Sequence, residues 1–447
     1  MSDCSQRAKS EYWQLVEFPR KCKKDIDMTK FIFTTLFLGL TTASVLAATE
    51  SDSKVSRSQD LKMELGPRPA ALVAGLEDGS LKNRLQACAV SDQYRHPQAS
   101  EFSVSHRGAP FQFPEHTKEG YIAAANMGAG IIECDVTFTK DRALVCRHSQ
   151  CDLHTTTNIL STPLAAKCSI PPDNNSNTPY KEVQCCTSDL TLPEFKSLHG
   201  KFDRGNKKAE TLEDYYSLAG TPREPWQERT GTLMTHLESI DLFRSLGVKM
   251  IPELKQPQVP MPFDGDFDQA AYAQLLLDEY NSENIPVDDI FLQSFQWEDI
   301  EYWLETAPQF SKQIAWLDSR YRDRSFNPSK PKSWKPSMQE LADSGLKILA
   351  PPLWMLVSLD KNNNIVPSAY AIAAKASGLD LVAWTLERSG SLENGGGWYY
   401  QTIKDVIKQD SDMYRLLDVL AQDVKVSGIF SDWPATTTFY ANCFNLK

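Results

Sequence analysis

From residue 102 onward, apolar positions follow two alternating rhythms. Short runs rich in β-branched and aromatic residues read as strands: "FSVSHRG" (102–108), "GIIECDVTFT" (130–139), "VKMIPELK" (248–255) and "IFLQSF" (290–295). The pattern continues with "KQIAWLD" (312–318), "LKILAPP" (346–352), "LDLVAWTL" (379–386) and "VSGIFSD" (426–432). Between them the apolar spacing turns helical, at 116–128, 235–247, 267–281, 297–305, 336–344, 368–377 and 400–422. Thr235 followed three residues later by Glu238 has capping-box spacing. "ALVCRHS" (143–149) is expected to pair with the second strand through the Lys140-Asp141-Arg142 turn. This repetition predicts an α/β fold with a parallel sheet. About eight such units fit a (β/α)8 TIM barrel better than a two-sided open sheet.

The rhythm is interrupted after the second strand. Residues 150–234 are polar, contain "PPDNNSNTPY", and read as an insertion. Residues 49–100 form a polar N-terminal extension with a helix expected at 78–87, and 101–447 are assigned to the barrel. "SLENGGGWYY" (391–400) reads as a second loop insertion. Residues 1–48 are assigned as leader and signal peptide. From Met28, a lysine, an apolar stretch and a small-residue exit at Val45-Leu46-Ala47-Ala48 follow the layout of a secretory signal. Met28 is therefore a candidate start, the rival being an uncleaved signal anchor. The apolar stretch is broken by Thr and Ser and short for a span of roughly 20 residues. No stable membrane span is expected in the mature chain.

Charge narrows the partners. The formal net charge is −11, and removing residues 1–47, with seven Lys/Arg and five Asp/Glu, moves it to −13. An acidic chain lacks the broad basic face that nucleic acid requires. Eight of the ten cysteines lie beyond the leader, at 88, 134, 146, 151, 168, 185, 186 and 443. An even number suggests disulfides in an oxidising compartment, periplasmic or extracellular, with pairing unreadable from sequence. Cys134 is either a free core thiol or one end of a bridge, and no CxxC pair supports zinc.

Residues two apart in a strand share a face, so Ile131, Glu133 and Asp135 point one way. Glu253 and Lys255 repeat the arrangement after Ile251. On the C-terminal rim of a barrel, where catalytic groups gather, the three carboxylates make either a hard-oxygen site for Ca²⁺ or Mg²⁺ or a charge network with Arg107 and Lys255. His106 and His148 end strands near this cluster. Each taken alone reads as an ordinary hydrogen-bonded histidine. Together with a carboxylate-bound cation, an arginine and a lysine, they describe metal-assisted phosphodiester cleavage. Glu115 either orients His106 or contacts a substrate hydroxyl, or is a helix N-terminal carboxylate. His116, His154, His199 and His236 are read as structural.

"HRG" with "PEHT", "GAGIIECDVTFTKD", "VCRH", "IPELK" and the late "GIFSDWP" resemble the glycerophosphodiester phosphodiesterase family in order and spacing. The resemblance spans roughly residues 102–440 and covers 150–234 poorly. It implies a (β/α)8 barrel with an insertion after the second strand. It also implies divalent-cation-dependent hydrolysis of a small-molecule glycerophosphodiester to sn-glycerol 3-phosphate and an alcohol. His106 and His148 then match the acid/base pair, and Glu133, Asp135 and Glu253 the metal ligands. Arg107 and Lys255 match the phosphate site, Glu115 an active-site glutamate, and Trp384 either the pocket edge or a barrel-layer tryptophan. Resemblance to exported members makes Ca²⁺ the first choice of cofactor and Mg²⁺ the second. The family usually carries His-Asp where this chain has His148-Ser149. The alternatives are a phospholipase D-like member of the same superfamily acting on lysolipids or sphingolipids, and a non-catalytic exported barrel protein. Head group and oligomeric state are not specified by the sequence.

Overall fold

The strand Ala129–Phe138 shows how the fold is organised. All ten residues are buried, but its two faces enter different cores. Ile131 joins Val104, Ile251, Ala315, Leu317, Ile348, Ala350, Val382 and Phe430 in a core enclosed by strands. Ile132, Cys134, Val136 and Phe138 join the larger layer between strands and helices. Such a two-sided strand belongs to a closed parallel sheet.

The computed structural model describes residues 62–217 and 230–447. The leader and signal peptide expected at 1–48 fall outside the described residues. The barrel strands, in chain order with one added hairpin strand, are β1 (Ser100–Ser105), β2 (Ala129–Phe138), β3 (Leu144–Cys146), β4 (Lys249–Leu254) and β5 (Gln293–Ser294). They continue as β6 (Ala315–Leu317), β7 (Ile348–Ala350), β8 (Asp380–Ala383) and β9 (Gly428–Ser431). Eight of them form the parallel barrel, β9 pairing with β1 to close it, while β3 lies antiparallel against β2 at its rim. The register sets Asp135 opposite Glu253 and Glu133 opposite Ile251.

Most expected helices are present, trimmed at their ends. The helix after β1 runs Lys118–Asn126, begun by the Thr117 side chain accepting from the Gly120 N–H. The helix His236–Leu246 carries the Thr235/Glu238 capping box and ends at Gly247 in the left-handed conformation. The stretch 400–422 departs from expectation: after short 3₁₀ turns at Gly397–Tyr400 and Lys404–Val406, α-helix begins only at Asp412, runs to Asp418 and continues as a π-helical segment, Val419–Val424. The reason is local. The Asp410 carboxylate accepts from the Leu392 N–H, and Asp412 accepts from Lys408 and Gln409, so the preceding chain folds around these side chains.

Within 150–234, Leu153, Ile159, Val183, Leu190, Phe195 and Leu198 form a small core of their own with Val145 and Leu233. Two disulfides, Cys151–Cys186 and Cys168–Cys185, bind this segment. The N-terminal helices Arg68–Ala74 and Ser80–Ala89 pack on the final helix, Ala435–Phe444, and Cys88 is bridged to Cys443. The fourth bridge joins Cys134 of β2 to Cys146 of β3, which settles the open reading of Cys134. Among the described residues no helix is long and apolar enough to cross a membrane.

Candidate active site

The first barrel strand stops one residue short of the chemistry. β1 ends at Ser105, and Arg107 turns the chain with φ 59°. Gly108 follows at φ 94°, where an added Cβ would stand 2.9 Å from the backbone carbon of Gly120. This tight turn aims the Arg107 N–H at Glu133 Oε2, 3.0 Å away. "HRG" is therefore a geometric unit as well as a chemical one: glycine lets the loop press onto the next helix, and the arginine backbone anchors the second strand's carboxylate.

The C-terminal rim opens into a cavity of about 460 Å³. His106, Arg107, Glu133, His148, Glu253, Lys255 and Trp384 all line it. Glu115 and Asp135 stand behind that wall. Glu115 accepts from Arg107 Nη1 at 3.1 Å, and Asp135 Oδ2 lies 3.8 Å from Arg107 Nε. His148 follows β3 by two residues rather than ending it.

Glu133, Asp135 and Glu253 each bring a carboxylate oxygen within 4.8 Å of the others. All three are buried. Burial, and then the neighbouring Asp135 and Glu253, hold the Glu133 carboxyl well above its usual range. Burial pushes Glu253 up to about 7, against the pull of Lys255. Asp135, despite burial, is held well below its usual range by Lys255 and His116, so two carboxyls that resist ionising stand beside one that stays ionised, a cluster a cation would relieve. Asp135 Oδ1 is buried without a hydrogen-bond partner, as expected of an oxygen reserved for such a ligand. Lys255 Nζ, 2.5 Å from Glu253 Oε1, supplies part of the compensation. The all-oxygen donor set suits a hard divalent cation.

His106 is buried with Nδ1 2.5 Å from Asp432 Oδ1. With Nδ1–H donating to that carboxylate, Nε2 is left for the cavity. Burial is the strongest influence on His106 and outweighs Asp432, so its pKa is pushed down to about 4. His148 is also held well below the usual histidine value, by burial first and then by Arg107 and Lys255. Both rings are therefore neutral near pH 7.

Several of these partners escape a reading of sequence alone. Asp432 and Arg388, whose Nε lies 3.0 Å from Asp432 Oδ2, come from strand ends far along the chain. Gln293 Nε2 donates to Glu133 Oε1 at 2.9 Å. His116, read from sequence as structural, is fully buried between Asp135 Oδ2 at 2.8 Å and the Tyr121 hydroxyl at 2.9 Å. It fixes a carboxylate of the cluster, and its place in "PEHT" was the available signal. Asp152 stands where its carboxylate, a His148 ring nitrogen and a Glu115 oxygen fall within 4.8 Å of one another. It thus supplies an acid near His148 despite Ser149. Trp384 is half-buried, stacks with Trp398 at 5.9 Å, lines the cavity and also packs against the core enclosed by the strands.

A closed parallel barrel carrying its polar cluster at the C-terminal ends of the strands is a (β/α)8 enzyme. The chain belongs to the glycerophosphoryl diester phosphodiesterase family, whose family model matches residues 106–436. It is accordingly a phosphoric diester hydrolase, with a set of acidic groups able to hold a divalent metal. It is 45% identical over 250 residues to a protein of Arthroderma benhamiae named "Extracellular protein", a match covering 55% of this chain and 100% of that one. It is 24% identical over 145 residues to a glycerophosphodiester phosphodiesterase of Arabidopsis thaliana, GDPDL7, covering 32% of this chain and 17% of that relative. A solved structure from Silicibacter pomeroyi, described as a glycerophosphoryl diester phosphodiesterase, superposes with a TM-score of 0.51 at 18% identity. That match covers 78% of this chain and 95% of the other and speaks for the fold.

Proposed function

We propose that this chain hydrolyses glycerophosphodiesters to sn-glycerol 3-phosphate and a free alcohol, with His106 and His148 as the acid/base pair. The observation that carries this reading is the convergence of Glu133, Asp135 and Glu253 beside both histidines, Arg107 and Lys255. Glu133, Asp135 and Glu253 would hold a divalent cation, Ca²⁺ before Mg²⁺. When bound it would polarise a phosphoryl oxygen.

Arg107 and Lys255 bind the remaining phosphate oxygens and orient phosphorus toward the histidines. One histidine accepts the nucleophile's proton as its oxygen bonds to phosphorus. The other, which takes up a proton when the anionic phosphodiester binds beside it, passes that proton to the departing alcohol oxygen as that P–O bond breaks. Asp432 keeps His106 in the tautomer whose Nε2 can accept. The nucleophile is water or the adjacent glycerol hydroxyl, the latter giving a cyclic phosphate that water then opens. Glu115, kept ionised by Arg107 and Arg388 in spite of burial, holds Arg107 in place.

A lysolipid-cleaving variant of this chemistry would need an apolar path beyond the phosphate. Beside the aromatic Phe295, Tyr321, Trp384 and Tyr399, the cavity carries Ser149, Gln256, Gln258 and Arg322, whose polar groups favour a water-soluble diester. Retention of both histidines and three clustered carboxylates supports catalysis over a binding role. Four disulfides support export to an oxidising compartment, in line with the signal-peptide reading of residues 1–48.

The test is release of sn-glycerol 3-phosphate from glycerophosphocholine and related diesters, with EDTA and with added Ca²⁺ or Mg²⁺. Full activity of His106→Ala would exclude the assignment, and indifference to chelation would exclude the metal.

A further inference from the structure

We propose that Asn174 is a modification site, where the exported chain receives an N-linked oligosaccharide from a polyprenyl diphosphate donor. This rests on the export reading above and is independent of the hydrolase chemistry.

An asparagine is an acceptor when Ser or Thr stands two positions on and the residue between is not proline. Asn174 and Asn327 are the two asparagines of the chain with Ser or Thr at that spacing. Asn327 is followed by Pro328, which fixes its own backbone angle and lacks an N–H. The Asn327 side-chain oxygen also accepts from the Ser329 N–H at 2.8 Å. Asn174-Asn175-Ser176 is therefore the one acceptor triplet in the sequence.

The fold puts this triplet at the tip of a tethered finger. At the base Cys168 is bridged to Cys185, and Ile170 and Gln184 exchange N–H···O bonds of 3.0 and 2.9 Å. Val183 belongs to the small core of the insertion, and the Tyr180 and Tyr215 ring centroids lie 5.0 Å apart. Beyond this anchor, residues 173–178 are all polar. The Asp173 N–H donates to the Pro179 carbonyl at 3.0 Å, which closes the tip. The Asp173 carbonyl accepts from the Ser176 N–H at 3.0 Å, so Asn174 and Asn175 are the central residues of a β-turn. Asp173 Oδ1 steadies the turn by accepting from the Asn175 N–H at 3.0 Å. Asn174 itself is exposed, and its side chain makes no hydrogen bond among the described residues. A bulky, hydrated group on its nitrogen would extend into solvent and displace no packing.

The transfer forms a bond between Asn174 Nδ2 and the anomeric carbon of the first sugar. The bond from that carbon to the donor's diphosphate oxygen breaks, the diphosphate keeps the electron pair, and the amide gives up one proton. The attached glycan would then shield an exposed polar tip of the kind that proteases nick first.

The experiment secretes the full chain from yeast and treats it, folded, with an amidase that releases Asn-linked glycans. Treatment should lower the apparent mass, and in ¹⁸O-water should leave labelled aspartate at position 174 of peptide 168–181. Asn174→Gln and Ser176→Ala should each lose the mass shift, and Ser176→Thr should keep it. Proteolytic nicking between Cys168 and Cys185 should be several-fold faster after treatment, and equal rates would overturn the shielding. A secreted, disulfide-bonded chain with no amidase-sensitive mass would overturn the site, as would a shift that survives in Asn174→Gln. If the substituted chains fail to leave the cell, the labelled wild-type peptide decides. Wild-type chain held in the cytosol with free thiols would overturn the export reading and the modification with it.

Discussion

His106 Nδ1 lies 2.5 Å from Asp432 Oδ1, joining residues 326 positions apart across the seam where the barrel closes. The two follow Ser105 and Ser431, which are register partners in β1 and β9. The strand pairing that closes the barrel thereby also sets the orientation of a proposed catalytic ring.

Asp432→Asn should lower kcat by about a hundredfold, within the usual contribution of a positioned acid or base. The asparagine can place its own NH2 toward Nδ1 and so stabilise the wrong tautomer. Asp432 raises the His106 pKa, so its loss also moves the acid limb of the pH–rate profile below the wild-type position near pH 4. Profiles at saturating metal check both effects. An unchanged kcat with an unchanged limb would remove Asp432 from the mechanism.

Glu133→Gln and Glu253→Gln should each abolish any rise in Tm on adding Ca²⁺ or Mg²⁺, a rise expected of wild type because ligand binds only the folded chain. Glu253, held near 7 by burial, must shed its proton to bind a cation. Metal affinity in wild type should therefore weaken as pH falls from 8 to about 6. Calorimetric titration at these pH values measures it, and equal affinities would contradict the assignment.

Replacing both Cys134 and Cys146 by serine should cost about 2–4 kcal/mol of stability, the usual range for a native disulfide. The bridge ties β2, which carries two of the clustered carboxylates, to β3, which leads to His148. A fall in kcat exceeding the loss of folded protein is expected, and denaturant melts beside single-turnover rates separate the two.

Glu387 is buried and accepts from Ser431 Oγ and the Asp432 N–H, with its pKa pushed up by burial to about 7. A carboxyl raised in the folded state stabilises most below its unfolded pKa and loses that contribution as pH rises through the folded value. Glu387→Gln should therefore gain Tm relative to wild type between pH 5 and pH 8. A Tm difference that stayed constant across this range would rule out ionisation of a buried Glu387 as its cause.

The barrel was legible because its signals are periodic. Strand alternation placed Ile131, Glu133 and Asp135 on one face, and the structure puts that face inside the barrel. Gln293 and Asp432 lie in or at the end of expected strands, but neither their roles nor that of Arg388 were legible, because only closure of the sheet brings them against Glu133 and His106. His116 was overlooked because a histidine at a helix entrance is usually unremarkable; its role depends on Asp135 reaching it from the next strand. The helix expected over 400–422 failed because aspartate side chains bond the backbone there, a competition that apolar spacing does not register. Disulfide pairing depends on which segments the fold brings together, as when Cys88 meets Cys443.

The Cys88–Cys443 bridge spans 355 residues and makes most of the chain a covalent ring. One proteolytic cut anywhere between these cysteines opens the ring without releasing a fragment. Nicked and intact protein should migrate together on a non-reducing gel and part only on reduction. A first encounter with a protease then leaves both halves of the barrel within reach of each other.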